Sequence, residues 1–167
     1  MGLQYAITTV LGALFLLLAP YTHAVRSLNP PTLIVSNLVA FVSSDVKIPS
    51  HLGFNVLDPR DDYYGYAACI ISTNNTISAD WTSCDPLFSG HAEPMDVSFM
   101  IDRDFVKLRR PWTEGDTYMI GTTDEQPTRW LDEPLPGREC SNVTTSPAGT
   151  YFTRTTDWEF PVVTIIS

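Results

Sequence analysis

The stretch LIVSNLVAFV (residues 33–42) is the strongest structural signal in the sequence and sets the expected fold. It is rich in β-branched residues, follows Pro31 and ends at the polar run SSD (43–45). Because β-branched side chains fit the pleated surface of a sheet, the stretch is predicted to be a β-strand. The next run, HLGFNVL (51–57), alternates apolar and polar residues, as a strand with one buried face does. We expect that face to carry Leu52, Phe54 and Val56.

The rest of the chain repeats this pattern of short apolar or alternating runs separated by turn residues. No stretch keeps apolar residues at helical spacing for three turns, and the 13 prolines interrupt most windows where a helix would begin. The sequence therefore predicts an all-β protein, a single-domain antiparallel β-barrel or β-sandwich with a long Pro-rich loop near 123–148. Further strands are expected at 66–72, 79–84, 97–101, 105–108, 116–122, 150–156 and 162–166.

The amino terminus indicates export. Residues 6–19 read AITTVLGALFLLLA, an apolar run shorter than the roughly 20 residues that a membrane-spanning helix needs. Pro20 ends the run, and Thr22 and Ala24 place small residues where a signal peptidase cleaves. We therefore expect residues 1–24 to be a signal peptide and residues 25–167 to be a single secreted β domain. The predicted location is extracellular, with no membrane association after signal cleavage.

The charge of the chain argues against one class of partner. It has 10 basic and 19 acidic residues, for a formal net charge of −9. Proteins bind nucleic acids mainly by neutralising phosphates with Lys and Arg, and an acidic surface repels those phosphates. We therefore expect no nucleic-acid partner.

The three cysteines, Cys69, Cys84 and Cys140, are read first as disulfide partners, because exported proteins meet an oxidising compartment. Cys69 and Cys84 fall on the two arms of a predicted β-hairpin formed by the runs 66–72 and 79–84. They are the first candidate pair, while pairing of either one with Cys140 stays open. If Cys140 is the thiol left over, an intermolecular bridge would make a covalent homodimer. A buried, inert cysteine is the alternative.

Two sequons agree with export. Asn74 and Asn142 each begin an Asn-x-Thr motif, which accepts a glycan in secreted proteins. A glycan must face solvent, so both asparagines are predicted to lie on surface loops.

The order of these segments resembles a known family. A β-branched strand and an alternating strand are followed by YAACII (66–71), DWTSC (80–84) and VSFMI (97–101). This layout resembles small secreted proteins of filamentous fungi similar to the major allergen of Alternaria. The resemblance implies a compact β-barrel, a tendency to dimerise, and a role at the fungus–host surface without established catalysis. That family usually carries an even set of intrachain cysteines, whereas this chain has three.

The sequence carries no recognisable catalytic motif, and no catalytic residue, cofactor or metal site is predicted. There is no nucleophile elbow, no zinc-binding His-Glu-x-x-His, no Cys-x-x-Cys and no phosphate-binding glycine loop. His91 and Glu93 stand two apart, as metal ligands on one strand do, but Pro94 makes a turn the favoured interpretation.

Paired carboxylates are the basis of an alternative, enzymatic hypothesis. A glycosidase needs two facing carboxylates, one of them with its pKa raised by burial. The pairs here stand beside turn residues or arginine, where a solvated acid is the ordinary outcome. They are Asp58, Asp61 and Asp62; Asp102 and Asp104; Asp124 and Glu125; and Asp132 and Glu133.

Aromatic residues beside acids give the better indication of binding. The runs DDYYGY (61–66) and RWLD (129–132) place flat rings next to carboxylates, a pairing that suits sugars. The alternative, that these rings only cover the ends of the barrel, is the favoured one. Trp81, Trp112 and Trp158 are expected in the core or in hairpin pairs, and KLRR (107–110) is expected at a solvated, edge-protecting strand end. The candidate ligand-binding residues are Asp61, Asp62, Tyr63, Tyr64 and Trp130.

These observations favour a secreted, non-enzymatic interaction protein of a filamentous fungus, effector-like or allergen-like. Its expected partner is a host protein, a cell-wall glycan or a small molecule. The alternative is an extracellular carboxylate-dependent hydrolase or a lectin-like protein. Asp61 or Asp62 facing Glu93 or Asp104 across a pocket would favour catalysis, whereas a flat aromatic face near Tyr63 and Trp130 would favour binding.

Export is tested by the intact mass of the secreted chain, before and after reduction and deglycosylation. We expect the mass of residues 25–167 with N-glycans attached, and a rise on reduction as disulfide sulfurs take up hydrogen. A cytosolic product that keeps Met1 and has only reduced thiols would contradict the prediction.

Overall fold

A computed structural model describes residues 30–73, 80–90, 93–102, 105–127, 142–154 and 156–167. These residues form a twelve-stranded antiparallel sheet, and a single 3-10 turn at Asp61–Tyr63 follows the second strand. The prediction of an all-β, antiparallel fold is confirmed. The strands are β1 (Thr32–Ser43), β2 (Ser50–Asp58), β3 (Gly65–Thr73), β4 (Thr82–Ser83), β5 (Asp85–Ser89), β6 (Ser98–Ile101), β7 (Phe105–Glu114), β8 (Thr117–Thr123), β9 (Gln126–Pro127), β10 (Asn142–Ser146), β11 (Gly149–Arg154) and β12 (Trp158–Ile166).

The strand order explains the barrel-like shape. Hydrogen-bonded neighbours run β4-β6-β7-β8-β12-β1-β2-β3-β5, with β10–β11 beside β1 and β9 beside β7. The sheet is not closed, but its two end strands, β4 and β5, are consecutive in the chain and are separated only by Cys84. The path therefore returns almost to its starting point.

Strand β12 is shared between two parts of the sheet. Its first part pairs with β1, where Trp158 lies opposite Val35, and its second part pairs with β8, where Ile166 lies opposite Ile120. We call β1, β2, β3, β5, β10 and β11 the first half-sheet, and β4 and β6–β9 the second half-sheet. Both half-sheets contribute inward-facing side chains to one hydrophobic cluster. Its members include Leu33, Val35, Leu52, Phe54, Val56, Phe99, Ile101, Leu108 and Phe160.

A β-bulge in β1 keeps its inward face apolar. Leu33 and Val35 are buried, then the register with β2 shifts between Ser36 and Val39, and burial resumes at Leu38. Asn37 occupies the bulge with a φ of 53°, a left-handed conformation that asparagine tolerates better than branched residues. If β1 alternated regularly through Ser36 and Asn37 without the bulge, Leu38 and Ala40 would face outward.

The disulfide between Cys69 and Cys84 is present, so the first candidate pairing is confirmed. It joins β3 to the point where β4 passes into β5, with the two Cα atoms 4.3 Å apart. The predicted hairpin partner of β3 is wrong: β3 pairs with β5, whereas Thr82 and Ser83 form β4 and pair with β6. A cross-link closing a loop of this size stabilises a fold by about 3 kcal/mol.

The prediction that KLRR (107–110) ends a solvated edge strand is wrong. Strand β7 lies between β6 and β8, and its alternate residues Val106, Leu108, Arg110 and Trp112 are buried. The burial of Trp112 agrees with its predicted place in the core. Arg110 enters the interior because it meets an opposite charge there.

The predicted long loop near 123–148 is shorter than expected. Thr123 belongs to β8, Gln126 and Pro127 form β9, and residues 142–146 form β10, which pairs with β11. Strand β10 was not predicted because prolines stand near it in the sequence, and proline removes a backbone donor and usually marks a turn. Residues 128–141 lie outside the described ranges.

The partner of Arg110 is Asp58, the last residue of β2. Its carboxylate is fully buried, so its prediction as a solvated turn acid is wrong. Arg110 Nε donates to Asp58 Oδ2 at 3.1 Å, and Arg60 donates from Nε to Oδ1 at 3.0 Å and from Nη2 to Oδ2 at 2.7 Å. Since Asp58 and Arg110 belong to different half-sheets, this triad of ions, buried at Asp58 and Arg110 and half-buried at Arg60, links the two.

Removal of one ion from this triad should weaken the fold strongly, because it leaves a buried charge without compensation. We expect Asp58→Asn to lower the free energy of unfolding by about 3–5 kcal/mol in urea denaturation. Asp62→Asn, an exposed site in the next turn, is the control and should change it by less than about 0.5 kcal/mol. Equal stability of the two variants would contradict this role of Asp58.

Candidate functional site

An open pocket of about 340 Å³ lies where the turn after β2 meets the end of β5 and the β7–β8 hairpin. Its volume falls within the roughly 300–1,000 Å³ range of small-molecule sites. The lining combines two carboxylates, two aromatic rings, hydroxyls and one buried arginine. Its residues are Asp62, Tyr63, Ser89, Glu93, Pro94, Arg110, Trp112, Thr113 and Gly115.

Arg110 is the fixed base of the pocket. Besides its ion pair with Asp58, its Nη1 donates to the carbonyl of Pro111 at 2.7 Å and its Nη2 to the carbonyl of Tyr63 at 3.4 Å. Burial lowers the pKa of Arg110, and the charge of Asp58 opposes that shift, so the guanidinium remains protonated at neutral pH. Since protein acceptors hold its nitrogens, Arg110 orients the turn and is not positioned as a free anion receptor.

Arg60 organises the aromatic wall. Its guanidinium carbon is 4.2 Å from the ring centroid of Tyr63 and 4.7 Å from that of Trp112. A guanidinium at these distances is attracted to the electron-rich face of each ring. The ion pair with Asp58 fixes Arg60, so the position of both rings depends on the triad.

Trp112 is accommodated by a glycine on the neighbouring strand. A Cβ atom at Gly121 would lie 2.7 Å from Cζ3 of Trp112 and 2.9 Å from Cγ1 of Val162. The indole therefore occupies space that only glycine leaves open. Trp112 Nε1 is buried and finds no hydrogen-bond acceptor in the part of the chain that the structure describes.

A cluster of two exposed rings and one half-buried ring lies next to the pocket residues in the chain, and we call it the aromatic ridge (Tyr64, Phe88 and the half-buried Tyr66). The ring of Tyr64 packs edge-to-face against Tyr66 at 5.7 Å and against Phe88 at 6.3 Å between centroids. The phenol oxygens of Tyr64 and Tyr66 are 3.4 Å apart. This contact raises the pKa of Tyr66, so its hydroxyl is neutral at pH 7.

The structure brings part of the predicted binding set together. Asp62 and Tyr63 line the pocket, Asp61 lies in the same 3-10 turn, and Tyr64 belongs to the aromatic ridge. Trp130 lies outside the described residues, as do Asn74, Cys140, His91 and Asp104. Asn142 begins β10 instead of lying in a loop, and its glycosylation stays a prediction.

Of the nine lining residues, only Asp62 and Tyr63 belong to the predicted ligand-binding set. Glu93 enters the sequence analysis only as a possible partner of His91 or of Asp61 and Asp62, and Arg110 and Trp112 are not predicted at a site. Arg110 and Trp112 continue the alternation of Val106 and Leu108, and this pattern could have indicated that both face inward. Glu93 carried a weak signal in its spacing from His91, but a carboxylate beside Pro94 is typical of a solvated turn.

Asp62 and Glu93 line the same pocket, which is one part of the arrangement expected to favour catalysis. Both residues are exposed to solvent. Within the described ranges, no group of three or more His, Cys, Asp or Glu is arranged to hold a metal ion.

Comparisons with protein-family models, curated proteins and solved structures found no match to this chain. In the described part, no helix is long and apolar enough to cross a membrane.

The role of Gly121 gives a test of the pocket wall. Gly121→Ala should lower the free energy of unfolding by about 1–3 kcal/mol and change the tryptophan fluorescence, because the new methyl group displaces the indole. Gly53→Ala is the matched control on a strand, where the nearest atoms to a new Cβ are 3.9 Å and 4.0 Å away. Two variants with the same stability and emission spectrum would show that Gly121 does not position Trp112.

Proposed function

We propose that this chain is an exported, non-enzymatic glycan-binding protein that holds a sugar residue in the pocket beside Tyr63. The observation that carries the proposal is the lining itself: the carboxylates of Asp62 and Glu93 and the rings of Tyr63 and Trp112 share one open pocket. The predicted signal peptide and the resemblance to secreted fungal proteins support a place for this activity outside the cell.

The chemistry of the lining suits a sugar. Carboxylate oxygens accept hydrogen bonds from sugar hydroxyls, and the hydroxyl of Thr113 can both donate and accept. The hydroxyl of Ser89 donates to the carbonyl of Glu93 at 2.5 Å, so it is offered to a sugar as an acceptor. An aromatic ring attracts the polarised C–H groups on the apolar face of a pyranose, because its own face is electron-rich. Arg60 occupies one face of Tyr63, so sugar contact is expected along the part of that ring that lines the pocket.

The negative charge of the protein narrows the class of glycan that it is expected to bind. A net charge of −9, with Asp62 and Glu93 at the pocket itself, disfavours polyuronates and sulfated or phosphorylated glycans. A neutral wall glycan, built of glucose or N-acetylglucosamine units, is the ligand class that fits.

The shared pocket of Asp62 and Glu93 makes a glycoside hydrolase the second candidate. Such enzymes use one carboxyl group as a general acid, and burial in an apolar environment raises its pKa. Asp62 and Glu93 are both exposed, so neither has that environment. Binding without turnover is the better supported of the two.

Titration calorimetry of the secreted chain with neutral oligosaccharides tests the proposal. We expect binding to oligomers of glucose or of N-acetylglucosamine, and no binding to polygalacturonate. Asp62→Asn and Glu93→Gln should each weaken that binding about tenfold or more, through lost hydrogen bonds to the ligand. Asp85→Asn, an exposed acid on β5 outside the pocket, is the matched control.

Two outcomes would overturn the proposal. One is the absence of binding to every neutral oligosaccharide, or equal affinities of the Asp62→Asn and Asp85→Asn variants. The other is the release of shortened sugars, abolished by Asp62→Asn or Glu93→Gln, which would show the hydrolase instead.

A further inference from the structure

The aromatic ridge places two exposed aromatic rings on the solvent side of the β3–β5 pair. Phe88 is 55% exposed and Tyr64 is 37% exposed, and Tyr66 lies directly opposite Phe88 across the β3–β5 pair. The neighbouring Ala67 and Cys69 show where the core side of β3 lies, because both are buried. Large rings grouped on the solvent side lose the stabilisation of burial, and such groups mark contact surfaces.

The ridge is continuous with the pocket. Tyr63 lines the pocket and Tyr64 follows it in the chain; Ser89 lines the pocket and Phe88 precedes it. The backbone N–H of Gly90 donates to the carbonyl of Tyr64 at 2.8 Å, which ties the two segments together. The ridge and the pocket are therefore carried on the same two chain segments.

Strand β5, which carries Phe88 of the ridge, is poorly suited to pairing with a strand from another protein. In the described residues β5 pairs only with β3, it contains Pro86, and its register with β3 shifts between Tyr66 and Ala67. Proline lacks a backbone donor, and an irregular register disrupts the row of hydrogen-bonding groups that strand addition needs. Ring stacking is then the interaction that this surface offers, together with the hydroxyls of Tyr64 and Tyr66.

We infer that the ligand is an oligosaccharide whose first unit occupies the pocket and whose following units stack on the aromatic ridge. This inference rests on the proposed glycan-binding function and deepens it. The pocket selects a neutral sugar unit, and the ridge makes the protein selective for a chain over a free monosaccharide. Phe88 supplies the most exposed platform, and Tyr64 and Tyr66 supply rings with polar tips.

The length dependence of binding tests the inference on the secreted chain. Calorimetry uses a series of glucose or N-acetylglucosamine oligomers, from the monosaccharide to the hexasaccharide. The affinity should rise about tenfold or more along the series before it levels off. Phe88→Ala should reduce the affinity for the hexasaccharide towards that for the monosaccharide and leave monosaccharide binding unchanged. Leu87→Ala is the matched control, because Leu87 is 63% exposed on the same strand and lies outside the ridge.

The outcomes separate the two proposals. One outcome is that the monosaccharide binds in a manner that depends on Asp62 while the affinity does not rise with chain length, or while Phe88→Ala has no effect. Either result overturns the role of the ridge and leaves the proposed function of the pocket standing. If the ridge binds a protein instead, the same result is expected, because the Phe88→Ala variant then keeps its affinity for the hexasaccharide. Failure to bind any oligosaccharide overturns the glycan function and the inference together.

Discussion

The buried carboxylate of Asp58 is the interaction on which both the fold and the site depend. It stands at the end of β2 in the first half-sheet and meets Arg110 from the middle of β7 in the second. Taking these ions out of water is costly, and a buried pair stabilises a fold only when its geometry and its further hydrogen bonds are good. Here Arg60 and several backbone carbonyls provide those bonds. An apolar contact would join the half-sheets without fixing their orientation, whereas the directional bonds of this triad do fix it.

The same triad builds the pocket. Arg110 reaches the carbonyl of Tyr63, and Arg60 stacks on the rings of Tyr63 and Trp112. The aromatic wall is therefore held in place before any ligand arrives. Preorganisation of this kind reduces the entropy that a ligand and its side chains lose on binding.

The sequence predicts the parts of the fold that depend on local pattern. Strands β1 and β2 follow from β-branched content and alternation. The cysteine pair was a first candidate on a predicted hairpin, and the structure contains the disulfide without that hairpin. The bulge at Asn37 and the strand β10 could not be found this way, because a register shift and a Pro-flanked strand are decided by the neighbouring strands. The pairing of β3 with β5 was missed for a similar reason, since Pro86 makes β5 look like a turn.

The candidate site likewise has one part that is visible in the sequence and one part that only folding brings together. Asp62, Tyr63 and Tyr64 are adjacent in the chain, so their combination of rings and acids is visible in the sequence. Asp58 and Arg110 are 52 residues apart, and each stands beside residues that normally indicate solvent. Only the folded chain shows that they neutralise each other, and Trp112 becomes part of the pocket through that contact.

A double-mutant cycle between Asp58 and Arg110 tests this account most directly, with the free energy of unfolding as the measured quantity. The variants are Asp58→Ala, Arg110→Ala and the double replacement. If the two side chains form a direct link between the half-sheets, the double variant loses much less stability than the sum of the single ones, with a coupling of about 2–3 kcal/mol. Losses that add to within about 0.5 kcal/mol would show that the two residues act independently, and would contradict the account.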